Sequence, residues 1–389
     1  MIHEAVHHIA IFCQVVDNYG DIGFCWRLAR QLVADYGQQV TLWVDDFDSF
    51  RKICPRLHDN KSHQHGLQEI DGVTIGRWND AELGNANVVI EAFACELPAY
   101  LVAAMQAARP KWINLEYLSA EDWVESCHGS PSPHISGLKK YFFFPGFSAK
   151  TGGLLKERSL DAERAAFLAD QSAWWQSLGW QSRPDGLLVS LFCYPHAPLA
   201  ALFDAWQAAQ VLCLVPQGVA SDALEQYCQR PLRVGERFTR GGLTIQIIPF
   251  VDQIEYDRLL WACDLNFVRG EDSFVRAQWA ARPFIWHIYP QEEDVHLDKL
   301  QAFLARYLTN PMAKPLTGLE QAPEPALAAQ IQALSLAWNR GDEVGLAGFD
   351  AQFLQQIPNW RHFSEAWAQF LTENGDLADN LLQFIKKID

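Results

Sequence analysis

The chain has 389 residues, and its 31 Lys and Arg stand against 47 Asp and Glu for a formal net charge of −16. At about 150 residues per domain this length predicts two or three domains. The acidic balance argues against a general binder of nucleic acid or anionic membrane, which needs a cationic surface, and 49% hydrophobic with 20% charged residues argues against disorder.

Residues 8–16 are apolar and β-rich and predict a first strand, and Asp17-Asn18-Tyr19-Gly20-Asp21-Ile22-Gly23 predicts a turn. Residues 24–36 predict a helix, with Trp26, Leu28, Leu32 and Val33 at helical spacing and Gly37 closing it. Val40-Thr41-Leu42-Trp43-Val44 is the next strand, which makes a strand–helix–strand unit of a parallel sheet with a right-handed crossover. The alternation continues through strand 88–90, helix 98–108, strand 112–115, the aromatic run 141–147, the loop Thr151-Gly152-Gly153 and helix 161–178.

After Arg183-Pro184-Asp185-Gly186 the alternation restarts with strand 187–192, helix 198–210 and strand 211–215. A helix to 229 starts at Ser221 as its N-cap, strand 243–249 follows, and Asp252 caps a helix to 263. Strand 265–268, helix 274–281 and strand 284–288 complete the alternation before a helical tail. Two successive doubly wound α/β units describe this pattern most economically, with a boundary between about Gly153 and Gly186.

Ligands of open parallel sheets bind beyond the carboxyl ends of strands, and two clusters stand at such positions. The first turn sits where a dinucleotide fingerprint would sit, yet it has only Gly20 and Gly23, and Asp17 and Asp21 would repel a pyrophosphate. Two carboxylates four residues apart suit a cationic group or a proton to be removed; the same spacing also suits Asp17 ending a strand and Asp21 capping a helix. The second cluster is Arg269-Gly270-Glu271-Asp272-Ser273 between a strand and a helix. Ser273 as a cap, the helix N-terminus and Arg269 together suit a phosphate, with one neighbouring acid left for ribose hydroxyls. An exposed, capped helix start reads the same way. Phe192 and Tyr194, then Phe250, Gln253 and Tyr256, then Tyr289 fall at equivalent strand ends, singly core residues but together a stacking slot for a base and donors for phosphates.

No H-E-x-x-H, Walker A or G-x-S-x-G sequence occurs, and His7-His8 and His63 with His65 lack partner ligands, so no metal is expected. The nine cysteines are odd in number and form no C-x-x-C pair; they suit buried positions in a reduced, cytoplasmic protein. No basic n-region precedes the first strand, and no run reaches the roughly 18 apolar residues of a membrane span.

Asp17-Asn18-Tyr19-Gly20-Asp21-Ile22-Gly23 with Cys25-Trp26-Arg27-Leu28-Ala29-Arg30 resembles the opening motif of the protein-arginine rhamnosyltransferases of bacterial elongation factor P, the EarP family. The likeness extends to Trp112-Ile113-Asn114-Leu115-Glu116-Tyr117-Leu118-Ser119-Ala120-Glu121, to Phe144-Pro145-Gly146-Phe147 with Gly152-Gly153, and to Arg269-Gly270-Glu271-Asp272-Ser273. The resemblance implies a GT-B fold, two Rossmann-like doubly wound domains facing across a cleft. The expected domains are 1–180 with the C-terminal helix 365–389, binding the acceptor, and 181–364, binding the nucleotide sugar.

The resemblance also implies dTDP-β-L-rhamnose as donor, one arginine of elongation factor P as acceptor, and inversion to an α-linked product without metal or other cofactor. It makes Asp21 the general base, Asp17 its support and Glu271 essential. Thymine and ribose contacts map to Phe192, Phe250, Gln253 and Tyr256, and diphosphate contacts to Tyr194, Arg269, Asp272, Ser273 and Tyr289. Asp17 also holds the acceptor, and Glu116 is expected to help align it. The charge of −16 fits an acceptor loop that approaches tRNA phosphate and is locally basic. Neither nucleic acid nor membrane is an expected partner. Two alternatives remain from the residues themselves, a nucleotide-sugar epimerase or hydrolase on the same scaffold and a non-catalytic translation-factor binding protein.

Overall fold

A computed structural model describes residues 6–17, 19–58, 66–309 and 324–388. Asn18 of the first turn, and His63 and His65, lie outside the described residues. The chain divides into two compact units, Met1–Arg158 with Leu371–Asp389, and Ser159–Phe370.

The first unit is built on eight strands: β1 (His8–Cys13), β2 (Gln39–Val44), β3 (Gln68–Ile70), β4 (Val73–Arg77), β5 (Val88–Ala92), β6 (Lys111–Leu115), β7 (Pro131–Pro133) and β8 (Lys139–Phe143). They lie in the order β3-β4-β2-β1-β5-β6-β8-β7. All neighbours are parallel except the β3–β4 and β7–β8 pairs at the two edges. The central strands are buried on both faces, as Ile9 to Cys13 and Val88 to Ala92 show, because helices cover a doubly wound sheet from both sides.

The last segment of the chain belongs to this unit. Asp376 caps helix Leu377–Lys387 and also accepts from Gln31 Nε2 at 3.0 Å, Tyr36 Oη at 2.7 Å and the Lys156 N–H at 3.1 Å. At the other end, Lys111 Nζ donates to the carbonyls of Ile385 and Ile388, both at 2.7 Å, where a cation complements the helix dipole. Gly153 lets the two segments meet: its φ is +74°, and a Cβ there would stand 2.9 Å from the Gly375 carbonyl.

The second unit carries β9 (Leu187–Leu191), β10 (Val211–Pro216), β11 (Arg237–Arg240), β12 (Leu243–Ile248), β13 (Leu265–Arg269) and β14 (Phe284–His287), in the order β11-β12-β10-β9-β13-β14. Only β11 runs antiparallel. The described helices that follow are Val295–Thr309, Pro325–Arg340 and Ile357–Thr372, the last of which leaves this unit after Phe370, with short helices Glu343–Leu346 and Ala351–Leu354 between the second and third.

Residues 159–180, assigned above to the first domain, pack in the second. Trp175 is buried with Leu188, Leu212, Leu214 and Ile248 under the second sheet, and Trp180 Nε1 donates to Gln246 Oε1 at 2.8 Å. Residues 365–370 likewise stay with the second unit, where Trp367 Nε1 donates to Gln278 Oε1 at 2.9 Å. The helix expected at 161–178 is two, Leu160–Ala169 and Ser172–Ser177, because Asp170 turns extended and accepts the Ser172 N–H instead of continuing the helix. Ser221 is the first helical residue of Ser221–Cys228 and not its cap, which is Ala220. Asp252 does cap its helix, Gln253–Ala262, accepting from Ile254 and Glu255 N–H. Among the described residues no helix is long and apolar enough to cross a membrane.

Candidate active site

In the first unit the acid pair stands at the carboxyl end of the central strand β1. The helix that follows, Gly20–Ala34, begins four residues earlier than its apolar periodicity predicts. Gly20 makes the tight entry: its N–H donates to the Asp17 carbonyl at 2.7 Å, and a Cβ there would lie 2.7 Å from Asp17 Oδ2. The Asp17 carboxylate therefore folds over the helix start, where any side chain would displace it.

Asp21 is not the N-cap. It lies inside the first turn and reaches back, so that Oδ2 accepts the N–H of Val16 at 2.7 Å and of Asp17 at 2.8 Å. Its Oδ1 accepts the hydroxyl of Tyr117 at 3.0 Å, from the loop behind β6. Burial pushes this carboxyl above the ordinary Asp value, opposed by the hydrogen bonds from Asp17, Val16 and Tyr117. A base with a raised pKa closer to neutrality is a better proton acceptor than an exposed aspartate.

Glu116 precedes Tyr117 and is held by Asn114 Nδ2, while Asn114 Oδ1 accepts the Ala94 N–H at 3.1 Å in the loop behind β5. That loop is strained: Phe93, Ala94 and Glu96 have φ of 58°, 53° and 43°. The Phe93 ring stacks on Tyr117 with centroids 4.2 Å apart and planes 13° apart. The adjacent strand ends of β1, β5 and β6 thus bring Asp17, Asp21, Glu116 and Tyr117 to one end of the sheet. Tyr117 and Asn114 stood in the sequence motif without a role, Asn114 also as a polar residue in an apolar strand, and Phe93 carried no signal.

In the second unit β9, β13 and β14 are neighbours, and their carboxyl ends gather the other cluster. The Arg269 guanidinium lies over the rings of Phe192 at 4.5 Å and Tyr194 at 4.8 Å, and its Nη1 donates to the Cys193 carbonyl at 3.2 Å. Tyr256 meets Phe192 edge-on at 5.6 Å, and Tyr289, 41% exposed, meets Tyr194 edge-on at 5.8 Å. Gln253 Nε2 donates to Asp272 Oδ2 at 3.1 Å. Phe250 sits half-buried just past β12. Burial pushes the Tyr256 phenol up, so it serves as a neutral donor.

Ser273 does not cap its helix. That helix runs Asp272–Trp279 with buried Glu271 at the N-cap position, and Ser273 Oγ instead accepts the Arg269 N–H at 3.1 Å and donates to the Arg269 carbonyl. What Ser273 offers an anion in this arrangement is its first-turn N–H beside the positive end of the helix dipole. Arg276 and Asp257, both buried, form a bidentate pair at 3.0 and 2.8 Å that ties this helix to Gln253–Ala262. The sequence reading missed two histidines here. His287 Nδ1 accepts the Tyr194 N–H, and His287 Nε2 meets His196 Nε2. The only signal for His287 was a lone polar residue in the run 284–288. Among the described residues no three His, Cys, Asp or Glu side chains group so as to hold a metal ion.

Two Rossmann-like units, each with its chemistry-bearing residues at strand carboxyl ends, give the chain the GT-B fold. The family model described as Elongation-Factor P (EF-P) rhamnosyltransferase EarP matches residues 9–386. A protein-arginine rhamnosyltransferase of Pseudomonas putida is 48% identical over 386 residues, covering 97% of this chain and 98% of the relative. One of Neisseria meningitidis serogroup B is 36% identical over 399 residues, covering 97% and 96%. A solved structure described as the structural basis for EarP-mediated arginine glycosylation of translation elongation factor EF-P is 36% identical with a TM-score of 0.66, covering 98% of this chain and 99% of that one. The chain belongs to the EarP family of elongation factor P rhamnosyltransferases.

Proposed function

We propose that this protein transfers L-rhamnose from dTDP-β-L-rhamnose to one arginine of translation elongation factor P in the cytoplasm, with inversion and without a metal ion. The observation that carries this reading is the end-to-end match to arginine rhamnosyltransferases. The two clusters supply chemistry of the required kinds, and the reading requires them to act at one reaction centre.

Arginine is a poor nucleophile because its guanidinium stays protonated, with a pKa above about 12. Against an ordinary aspartate near 4 the mismatch of about eight units corresponds to roughly 11 kcal/mol, too much for removal of the proton beforehand, and the burial that raises Asp21 works to narrow it. The proton leaves late instead. A guanidinium nitrogen forms its bond to C1 of the sugar while the C1–O bond to the diphosphate breaks and its electron pair departs with dTDP. As the nitrogen commits its pair, its N–H becomes acidic and passes to Asp21. The product remains a delocalised cation, so neutral arginine never accumulates.

Asp17 and Asp21 hold the guanidinium and orient one nitrogen toward C1, with Glu116 aligning the acceptor loop. On the donor side Phe192, Phe250, Gln253 and Tyr256 take the thymidine. Tyr194, Arg269, Asp272, Ser273 and Tyr289 take the diphosphate, and Glu271 supports that site from the helix N-cap. Arg269 and the N-terminus of helix Asp272–Trp279 stabilise the charge that grows on the leaving group, the task a divalent ion performs elsewhere. The test is intact-mass analysis of elongation factor P after incubation with this protein and dTDP-β-L-rhamnose. A gain of one deoxyhexose on a single arginine, α-linked by NMR, is the expected result; an unmodified acceptor overturns the reading.

A further inference from the structure

A carboxylate offers about four lone-pair directions, two on each oxygen. The N–H groups of Val16 and Asp17 occupy both on Asp21 Oδ2, and the Tyr117 hydroxyl occupies one on Oδ1. Among the described residues nothing takes the other direction on Oδ1, and the position of Tyr117 decides which one that is. The Tyr117 ring is clamped by its stack on Phe93. Phe93 is fixed in the left-handed region by its own N–H on the Leu115 carbonyl at 2.7 Å and by Ala94 on Asn114. Left-handed backbone at a bulky residue persists only where the surroundings enforce it.

We infer that Tyr117 is a positioning residue for the transfer: its hydroxyl fills one lone pair of Asp21 Oδ1 so that the acceptor's guanidinium N–H is received on the other. The inference rests on the reading of Asp21 as the base. The groups that face Asp21 are Asp17 in its own turn, Asp45 behind β2, and Cys13 at the end of β1 with Cys25 against it. Asp45 raises the Asp21 pKa, and burial holds the Cys13 thiol neutral. The Tyr117 hydroxyl acts in the opposite sense to burial and Asp45, favouring the ionised carboxylate.

The test is Tyr117→Phe, which keeps the stack and removes only the hydroxyl, with Tyr117→Ala and Asp21→Asn measured beside it. Expected for Tyr117→Phe is a kcat about tenfold lower at neutral pH, and an acid limb of the kcat/KM profile moved to higher pH by about one unit, the size of one hydrogen bond to a charged group. The KM for the nucleotide sugar stays at the wild-type value, which also reports a folded protein. Wild-type kcat and an unmoved acid limb in Tyr117→Phe, with Asp21→Asn inactive, overturn this inference and leave the base intact. A fall in Tyr117→Ala alone assigns the ring and not the hydroxyl, and overturns it too. Near wild-type turnover by Asp21→Asn removes the base and the inference together.

Discussion

His287 Nδ1 accepts the backbone N–H of Tyr194 at 3.3 Å, while its Nε2 lies 3.2 Å from His196 Nε2. An N–H only donates, so the proton of neutral His287 is on Nε2 and His196 Nε2 receives it. A second proton on either ring leaves two donors facing each other or removes the acceptor from Tyr194. The neutral pair therefore fixes the segment that carries Phe192 and Tyr194, the two rings beneath Arg269.

Burial holds His287 well below the ordinary imidazole value, with His196, Arg269 and His296 acting in the same sense, and burial lowers His196 as well. Below about pH 6.5 the unfolded chain binds protons that the folded pair refuses, so stability rises with pH through that window and is lost as pH falls. Affinity for dTDP is expected to drop over the same range. His287→Leu is expected to weaken dTDP binding about tenfold and to flatten this pH dependence, since about one neutral hydrogen bond is removed. Calorimetric titration between pH 5.5 and 8 checks it; an unchanged pH slope in the variant contradicts it.

Asp21→Asn keeps the shape of the turn. The amide oxygen accepts the Val16 and Asp17 N–H groups, and the amide nitrogen donates to the Tyr117 hydroxyl. Folding and dTDP affinity are expected to match wild type, while turnover falls by about a hundredfold or more, the range of a lost general base. Single-turnover transfer with a parallel thermal melt separates the two effects.

Arg269→Lys tests the stacked guanidinium. An ammonium group cannot lie flat over Phe192 and Tyr194 and still donate to Cys193 and a phosphate. A loss of dTDP affinity of about tenfold is expected, larger than the loss of thymidine affinity, because thymidine has no phosphate. Equal losses for both would assign Arg269 to packing alone.

Asp376→Ala tests the attachment of the C-terminal helix. It strips an N-cap from Leu377–Lys387 and leaves Gln31 Nε2, Tyr36 Oη and the Lys156 N–H without this acceptor. The expected cost is about 2–4 kcal/mol in urea unfolding followed by tryptophan fluorescence or circular dichroism. A change within about 0.5 kcal/mol, typical of surface sites, contradicts it.

Much of this was legible in advance for a physical reason. Buried parallel strands read as apolar runs, so β1, β2, β5, β6, β9, β10, β12, β13 and β14 announce themselves, and the residues directly behind them form the candidate site. Short edge hairpins did not: β3, β7 and β11 are three or four residues long with polar or proline-containing sequences. The helix start at Gly20 was hidden because Asp21 folds back into the turn and the N-cap residue, Tyr19, makes no side-chain cap hydrogen bond. Ser273 looked like a cap by type and position, but its hydroxyl found the Arg269 backbone four residues back. Tyr117 reaches Asp21 across 96 positions of sequence, and His287 reaches Tyr194 across 93. Such partners are set by sheet order, which no local pattern encodes.

The most direct measurement follows dTDP release and acceptor mass in the same reaction, with and without elongation factor P. Sugar transfer to arginine predicts equal amounts of dTDP and deoxyhexose-bearing acceptor, and negligible dTDP when the acceptor is omitted. Rapid release of dTDP without acceptor, or release that outruns the modification, would contradict it and indicate a hydrolase on the same fold.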